Sequence, residues 1–371
     1  MILLLVFFAV MLGIGFYSRK HATDVNGFVL GGRSVGPWLT AFAYGTSYFS
    51  AVVFVGYAGQ FGYKYGLAST WIGIGNAVLG SLLAWVVLGR RTRIMTKHLK
   101  SMTMPDFFGK RYGSKSLRVA ASMIAFIFLI PYTASVYNGL SYLFGMAFDI
   151  DFRICVVVMA VLTGVYVIVG GYMATALNDL IQGIIMLFGI VAVIAAVLSG
   201  HGGFLAAVKE LAHVPSDVMP GAYASFFGPD PLNLLGVVIL TSLGTWGLPQ
   251  MIQKFYAIKD EKAVHTGTII STLFAVVVSG GCYFLGGFSQ ISGVTEAADG
   301  SVAYDTIIPT MLSSLPDILI GIVIVLVLSA SMSTLSSLVL TSSSTLTLDF
   351  IKPLFVKDMS EKKQLIWMRI L

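Results

Sequence analysis

Apolar runs of about twenty residues recur from one end of this 371-residue chain to the other. Each is long enough to cross a ~30 Å hydrocarbon core as an α-helix. No other feature constrains the fold as much, because backbone in lipid must bond its own N–H and C=O groups, which only helices and closed barrels achieve. The ten-residue alternating segments of an outer-membrane barrel are absent. The runs fall at 1–18, 37–57, 67–89, 117–146, 153–172, 175–199, 231–256, 266–289 and 317–348, and a tenth opens at 365. Charged residues make up only 11% of the chain, against about 25% in soluble domains. The expected fold is therefore an all-α polytopic membrane protein, with one transmembrane domain over 1–371. Its first run lacks a basic n-region and a small-residue cleavage site, and reads as a mature helix rather than a signal peptide.

The 23 Lys and Arg residues are distributed unevenly. Alternate connections 19–36, 90–118, 254–262 and 352–369 hold 20 of them, whereas the others hold only Lys64, Arg153 and Lys209. This bias orients a bundle with the basic connections inside and the N-terminus outside, in a bacterial inner membrane or a plasma membrane. The net charge of +6 is then a topology signal. The basic stretch "RRTRIMTKHLK" at 90–100 anchors a membrane helix on this reading, and no nucleic-acid partner is expected. The largest outer pieces are 200–230 and the acidic 290–317, where "TIIPTMLSSLP" reads as a short interfacial helix.

Two spans carry features that an uninterrupted helix does not need. Span two gathers Gly45, Thr46, Ser47, Tyr48 and Ser50 near mid-membrane. Span seven places Gly244, Gly247 and Pro249 together, and Pro249 removes a backbone donor and displaces the carbonyl four residues back. Broken helices at corresponding positions of two halves point to a transport site at a repeat interface. Close packing by Gly and a simple Pro kink remain open alternatives from pattern alone.

The uncharged stretch 329–347 has Ser or Thr at 12 of its 19 positions. Helical spacing puts Ala330, Ser333, Thr334, Ser337, Thr341 and Ser344 on one side. Taken alone, hydroxyls bonding back to their own helix and small residues permitting close contact explain such a run. Two broken helices opposite it change the balance, because freed carbonyls and paired hydroxyls form an oxygen cage that replaces the water shell of a hard cation such as Na⁺. Asp179 stands out among the rare ionisable residues, and an intramembrane acid is a functional candidate. Helix capping by Asn178 or Asp179 is the structural alternative. Two apolar-run cysteines and five scattered histidines offer no disulfide framework, metal spacing or nucleophile arrangement, so no enzyme is expected.

The chain resembles the sodium:solute symporter family along essentially its whole length. The resemblance is carried by "GFVLGGRSVGPW", "FSAVVFVGYAG", "MPDFFGKRYGS", "IVGGYMATALNDLIQG", "GLPQMIQKFYAIKD" and "ASMSTLSS", in that order. It implies a leucine-transporter-like inverted-repeat bundle and Na⁺-coupled symport of a small organic solute by alternating access. Carried over by motif, the shared sodium site falls on the carbonyls of Thr46, Phe49 and Ala330 and the hydroxyls of Ser333 and Thr334. Thr46 replaces the usual Ala, and the inner-side aspartate falls on Asp179. Substrate contacts by position are Tyr48, Ser50 and Val53 on one break, with Thr245, Trp246 and Gln250 on the other. Sugar-carrying members have a Glu-Gln pair where Val52 and Val53 stand, and proline members have an Asp at Tyr48. "YKYGLA", "ALNDLIQG", "GLPQ" and "KDEKAVHTG" resemble the pantothenate and small-carboxylate branch. Family members continue through further core helices, so the natural protein is expected to be longer and the second repeat C-terminally truncated here. A symporter-like sensory module of a longer signalling protein shares this membrane core and is the alternative. A channel is disfavoured by the paired breaks.

Overall fold

The structure, a computed structural model, describes residues 2–148, 151–293 and 302–371, so part of the acidic outer segment lies outside the described residues. Helices α1 (Ile2–Ser18) and α2 (Val25–Leu30) lead to α3 (Pro37–Tyr48). Helix α3 stops at Phe49, whose backbone is extended (φ −84°, ψ 112°). The span resumes through a π-helical turn, Val52–Tyr57, into α4 (Ala58–Tyr65). Next come α5 (Thr70–Gly75), π-helical stretches Asn76–Leu83 and Trp85–Gly89, α6 (Arg90–His98) and α7 (Met104–Tyr112). They are followed by α8 (Lys115–Phe148), α9 (Phe152–Gly200) and α10 (Phe204–Ala212). The second break separates α11 (Pro231–Gly244) from α12 (Pro249–Ala257), which are bent by 52°. The chain finishes with α13 (Glu261–Gly286), α14 (Tyr304–Ser313), α15 (Asp317–Thr345), α16 (Lys352–Leu354) and α17 (Glu361–Ile370).

Among the described residues, six helical stretches are long and apolar enough to cross a membrane, or seven with the bent pair. Two glycines divide the longest of them further. Unbent, the 49 residues of α9 would run ~74 Å, well beyond one bilayer crossing. Gly171 breaks this helix with φ 54° and ψ −147°, just ahead of the boundary expected between residues 172 and 175. Gly66 adopts nearly the same backbone (φ 61°, ψ −144°) between the expected second and third spans. Only glycine adopts this conformation without steric cost. A Cβ at Gly171 would also lie 2.8 Å from the Phe28 carbonyl. The interfacial helix expected near residue 306 is α14, which packs on α4.

The four basic connections meet at one end of the bundle. Val35 pairs with the segment after α12, donating to Ala257 O at 3.2 Å and accepting from Lys259 N at 3.0 Å. The Arg33 guanidinium donates to the carbonyls of Tyr256 and Ser101, and Arg369 Nη2 donates to Ala22 O at 2.9 Å. At the opposite end, Gln290 donates to Tyr63 O and Trp71 to Phe226 O.

Two details differ from the sequence expectation. Residues 90–98, placed in the connection after a span ending at 89, continue the helix, and Arg93 folds onto the carbonyls of Ile258 and Lys259. Lys254, assigned from sequence to an inner connection, lies inside the bundle on α12 and is 1% exposed. The α12 helix continues through Lys254, and this carries the ammonium into the core.

The bundle is organised around α15, which is buried almost continuously from Val323 to Thr345 and packs against α9, α8 and α3. Helix α13 packs on α3, α4 and α5. Large apolar side chains such as Phe128, Val161, Phe188 and Leu240 face outward, as a hydrocarbon solvent requires.

Candidate cation cage and adjoining cavity

The extended backbone at Phe49 ends the α3 hydrogen-bond ladder while Gly45 O still receives Phe49 N at 3.4 Å. Val53 N and Phe54 N both turn to Ser50 O at 3.0 Å. The carbonyls of Thr46, Ser47 and Phe49 are thereby free to face α15, where Ser333 and Thr334 meet them. Thr334 Oγ1 lies 3.3 Å from Thr46 O, 3.4 Å from Ser47 O, 3.3 Å from Phe49 O and 3.1 Å from Ala330 O. Ser333 Oγ lies 3.1 Å from Thr46 O and 3.0 Å from Ala330 O.

A threonine hydroxyl has one proton to donate. It can satisfy one of four neighbouring carbonyls, which leaves lone pairs facing lone pairs. A cation at the centre of this group removes that conflict. The cage has no formal charge, since its oxygens are amide and hydroxyl, and this suits a monovalent ion bound weakly enough to leave. All five sequence-selected cage residues, Thr46, Phe49, Ala330, Ser333 and Thr334, converge here. Ser47 O is a further carbonyl that the motif did not include.

The same strip borders a cavity of about 20 Å³, room for one water, so a solute enters it only when the surrounding helices part. Gly45, Tyr48 and Phe49 line it from the broken span, Thr245 from the second break, and Asn76 and Ser279 from the helices opposite. The π-helical Asn76–Leu83 stretch leaves carbonyls to side chains. Gly80 O accepts from Tyr44 Oη at 3.1 Å and Thr245 Oγ1 at 3.3 Å, and Leu79 O accepts from Trp246 Nε1 at 2.9 Å. Asn76 Oδ1 accepts from Thr241 and Ser242 at 3.1 Å each.

Of the sequence-selected substrate residues, Tyr48 and Thr245 line this cavity. Trp246 is tied to Leu79, and Val53 is buried. Ser50 Oγ and both amide atoms of Gln250 are buried without a hydrogen-bond partner, an uncommon state for polar atoms in a folded interior.

Asp179 is fully buried, and neither carboxylate oxygen has a hydrogen bond. It sits well inside α9, eight residues beyond the Gly171 break, so it is not a helix cap. Lys254 Nζ stands 3.9 Å from Asp179 Oδ2 and donates to Ser337 Oγ at 3.0 Å. Sequence reading missed Lys254, although its position within "GLPQMIQKFYA", five residues past the break proline, was the available signal. A second overlooked residue is the buried Asp349, beyond the hydroxyl-rich run. It binds Arg118 Nε at 2.8 Å and Thr103 Oγ1 at 2.5 Å, tying the end of α15 to α7 and α8.

The family model of the "Sodium:solute symporter family" matches residues 28–371. The chain belongs to the sodium:solute symporter family. It is therefore a multi-pass membrane transporter of the kind that couples solute movement to Na⁺, and not an enzyme. Its relatives include proteins named sodium/proline symporter from Staphylococcus aureus strains JH9 and JH1, each 32% identical over 364 residues, covering 95% of this chain and 68% of the relative. Among solved structures, a Na⁺-coupled sialic acid symporter in a substrate-bound outward-open state superposes with a TM-score of 0.82 at 18% identity. The match covers 99% of this symporter chain and 76% of that one. A nucleobase-cation-symport-1 family transporter, closed with bromovinylhydantoin bound, gives 0.54 at 13% identity over 92% of this chain and 72% of its own. At these identities the two structures bear on the fold, which is a leucine-transporter-like helical bundle.

Proposed function

We propose that this symporter binds Na⁺ in the cage formed by Thr46 O, Phe49 O, Ala330 O, Ser333 Oγ and Thr334 Oγ1, and uses it to order the site of a small organic solute in the adjoining cavity. The supporting observation is that one strip, the last turn of α3 and its break at residues 45–49, serves both sites. Its carbonyls face the α15 hydroxyls, while Gly45, Tyr48 and Phe49 line the cavity. A cation that fixes the strip removes conformational freedom the solute must otherwise remove itself, which is positive cooperativity between cargo ions and solute. With the N-terminus outside, Na⁺ enters from outside and leaves inward by way of Asp179, carried by a membrane potential worth about 2.3 kcal/mol per charge per 100 mV.

The solute is a compact amino acid or small carboxylate such as proline or pantothenate. Relatives named as proline symporters favour this class. Tyr48, Thr245 and the unpartnered Ser50 and Gln250 are its proposed polar contacts, with Val53 and Trp246 shaping the surrounding wall. The domain assignment is a single transporter unit throughout 1–371.

The test is uptake of labelled proline and of labelled pantothenate by proteoliposomes at graded Na⁺. Replacing Ser333→Ala and Thr334→Ala together is expected to raise the Na⁺ concentration for half-maximal uptake by about tenfold or more, the scale of losing two ligands. Unchanged Na⁺ dependence would remove the proposed cage.

A further inference from the structure

The interior holds a positive side chain close to the cage. Lys254 is 1% exposed, and its ammonium donates to Ser337 Oγ at 3.0 Å. Ser337 Oγ is 2.9 Å from Ser47 Oγ, and the carbonyl of that same Ser47 faces Thr334 Oγ1 at 3.4 Å. On its other side the ammonium is 3.9 Å from Asp179 Oδ2. This separation is an ionic contact but too long for a hydrogen bond. A direct ammonium–carboxylate hydrogen bond closes to roughly 2.8 Å. Lys254 therefore spends a short bond on the serine that leads to the cage, and Asp179 keeps both oxygens without a hydrogen bond.

We infer that Lys254 is a resident counter-charge that sets Na⁺ affinity and release, acting against Asp179. This inference rests on the cage reading above. In a low-dielectric interior the ammonium repels a cation in the cage and offsets the attraction of the carboxylate. With both residues present, the cage experiences nearly balanced fields. Na⁺ then binds chiefly through neutral oxygens and departs readily. Without the ammonium, Asp179 would be an unpaired buried anion that holds Na⁺ back. Without the carboxylate, the ammonium would oppose Na⁺ unchecked.

This predicts shifts of opposite sign at two neighbouring residues, which a merely structural role does not produce. The measurement is equilibrium binding of ²²Na⁺ to the purified protein in lipid nanodiscs without solute, alongside uptake turnover. Lys254→Gln is expected to tighten Na⁺ binding by about tenfold, within the usual range of site-to-site coupling, and to slow turnover. Asp179→Asn is expected to weaken Na⁺ binding by a comparable factor. Lys254→Arg, which keeps the charge, is expected to stay near the parent affinity. Should Lys254→Gln alone fail to fold, Lys254→Gln added to Asp179→Asn supplies the same comparison, because it should recover the affinity lost in Asp179→Asn. Shifts of the same sign, or none at Lys254, overturn the inference. Ser333→Ala with Thr334→Ala, measured in parallel, separates the two ideas. If that variant weakens ²²Na⁺ binding and Lys254→Gln leaves it unaltered, only the counter-charge role is lost. If the cage variant leaves binding unaltered, the cage and this inference fall together.

Discussion

Thr46 turns its hydroxyl back to the Phe42 carbonyl at 2.9 Å, whereas Thr334 aims its hydroxyl at four carbonyls from two helices. Side-chain type alone does not separate them; the backbone does. In α3 the hydroxyl is absorbed by the preceding turn, and the useful atom of Thr46 is its carbonyl, set free by the break at Phe49. Replacing Thr46→Ala should therefore leave the Na⁺ concentration for half-maximal uptake within about twofold of the parent, as expected for a side chain outside the interaction. A large loss would show that the side chain itself is a ligand. The run on α15 divides in the same way: Ser331, Ser336, Ser343 and Ser344 bond back to their own helix. Ser333, Thr334, Ser337 and Thr341 reach across to the broken spans, the first two while also touching Ala330 O of their own helix.

The helices that carry the site are positioned by close backbone crossings. A Cβ built on Gly62 of α4 would lie 1.8 Å from the Gly286 carbonyl oxygen of α13, and one on Gly286 would lie 2.1 Å from Ala58 O. Small residues allow membrane helices to approach this closely, and the contact holds the outer half of the broken span against α13. Gly62→Ala must push the two backbones apart, at a cost of roughly 1–3 kcal/mol by analogy with overpacked cores. The expected outcome is a lower melting temperature in detergent and reduced solute affinity, checked by a thermal shift assay and by binding. An unaltered melting temperature would mean that the crossing is looser than it stands here. The second break owes its position to Pro249, which opens α12 after the extended Leu248 (φ −76°, ψ 118°). The sequence already located that break within two residues, since proline at a helix start leaves a sharp signature.

Over the whole molecule, the basic connections gather at one end and the sparsely charged ones at the other. Arg118 joins this organisation to the site by bridging Asp349, at the end of α15, with Asp106 of α7 at 3.2 Å. A membrane-impermeant thiol reagent checks the orientation on intact cells, using the chain with Cys155 and Cys282 replaced by Ala. Single cysteines at Lys97 and Lys357 should be protected and one at Lys209 labelled. The reverse pattern would invert the assignment.

Much of this organisation was legible in the chain itself. Hydropathy alone marked the spans, because every crossing obeys the same length requirement. Charge counting grouped the connections correctly, with Lys254 as the error. Glycine and proline located both breaks, and motif resemblance selected the five cage residues. These signals are local in sequence, so they can be read before any helix is packed. Which hydroxyl meets which carbonyl, and that Lys254 shares an interior with Asp179, required the packed bundle. Residues 47, 179, 254 and 337 come from four separate helices, and only the crossing of those helices turns an apparent loop lysine into a buried charge beside the proposed cation cage.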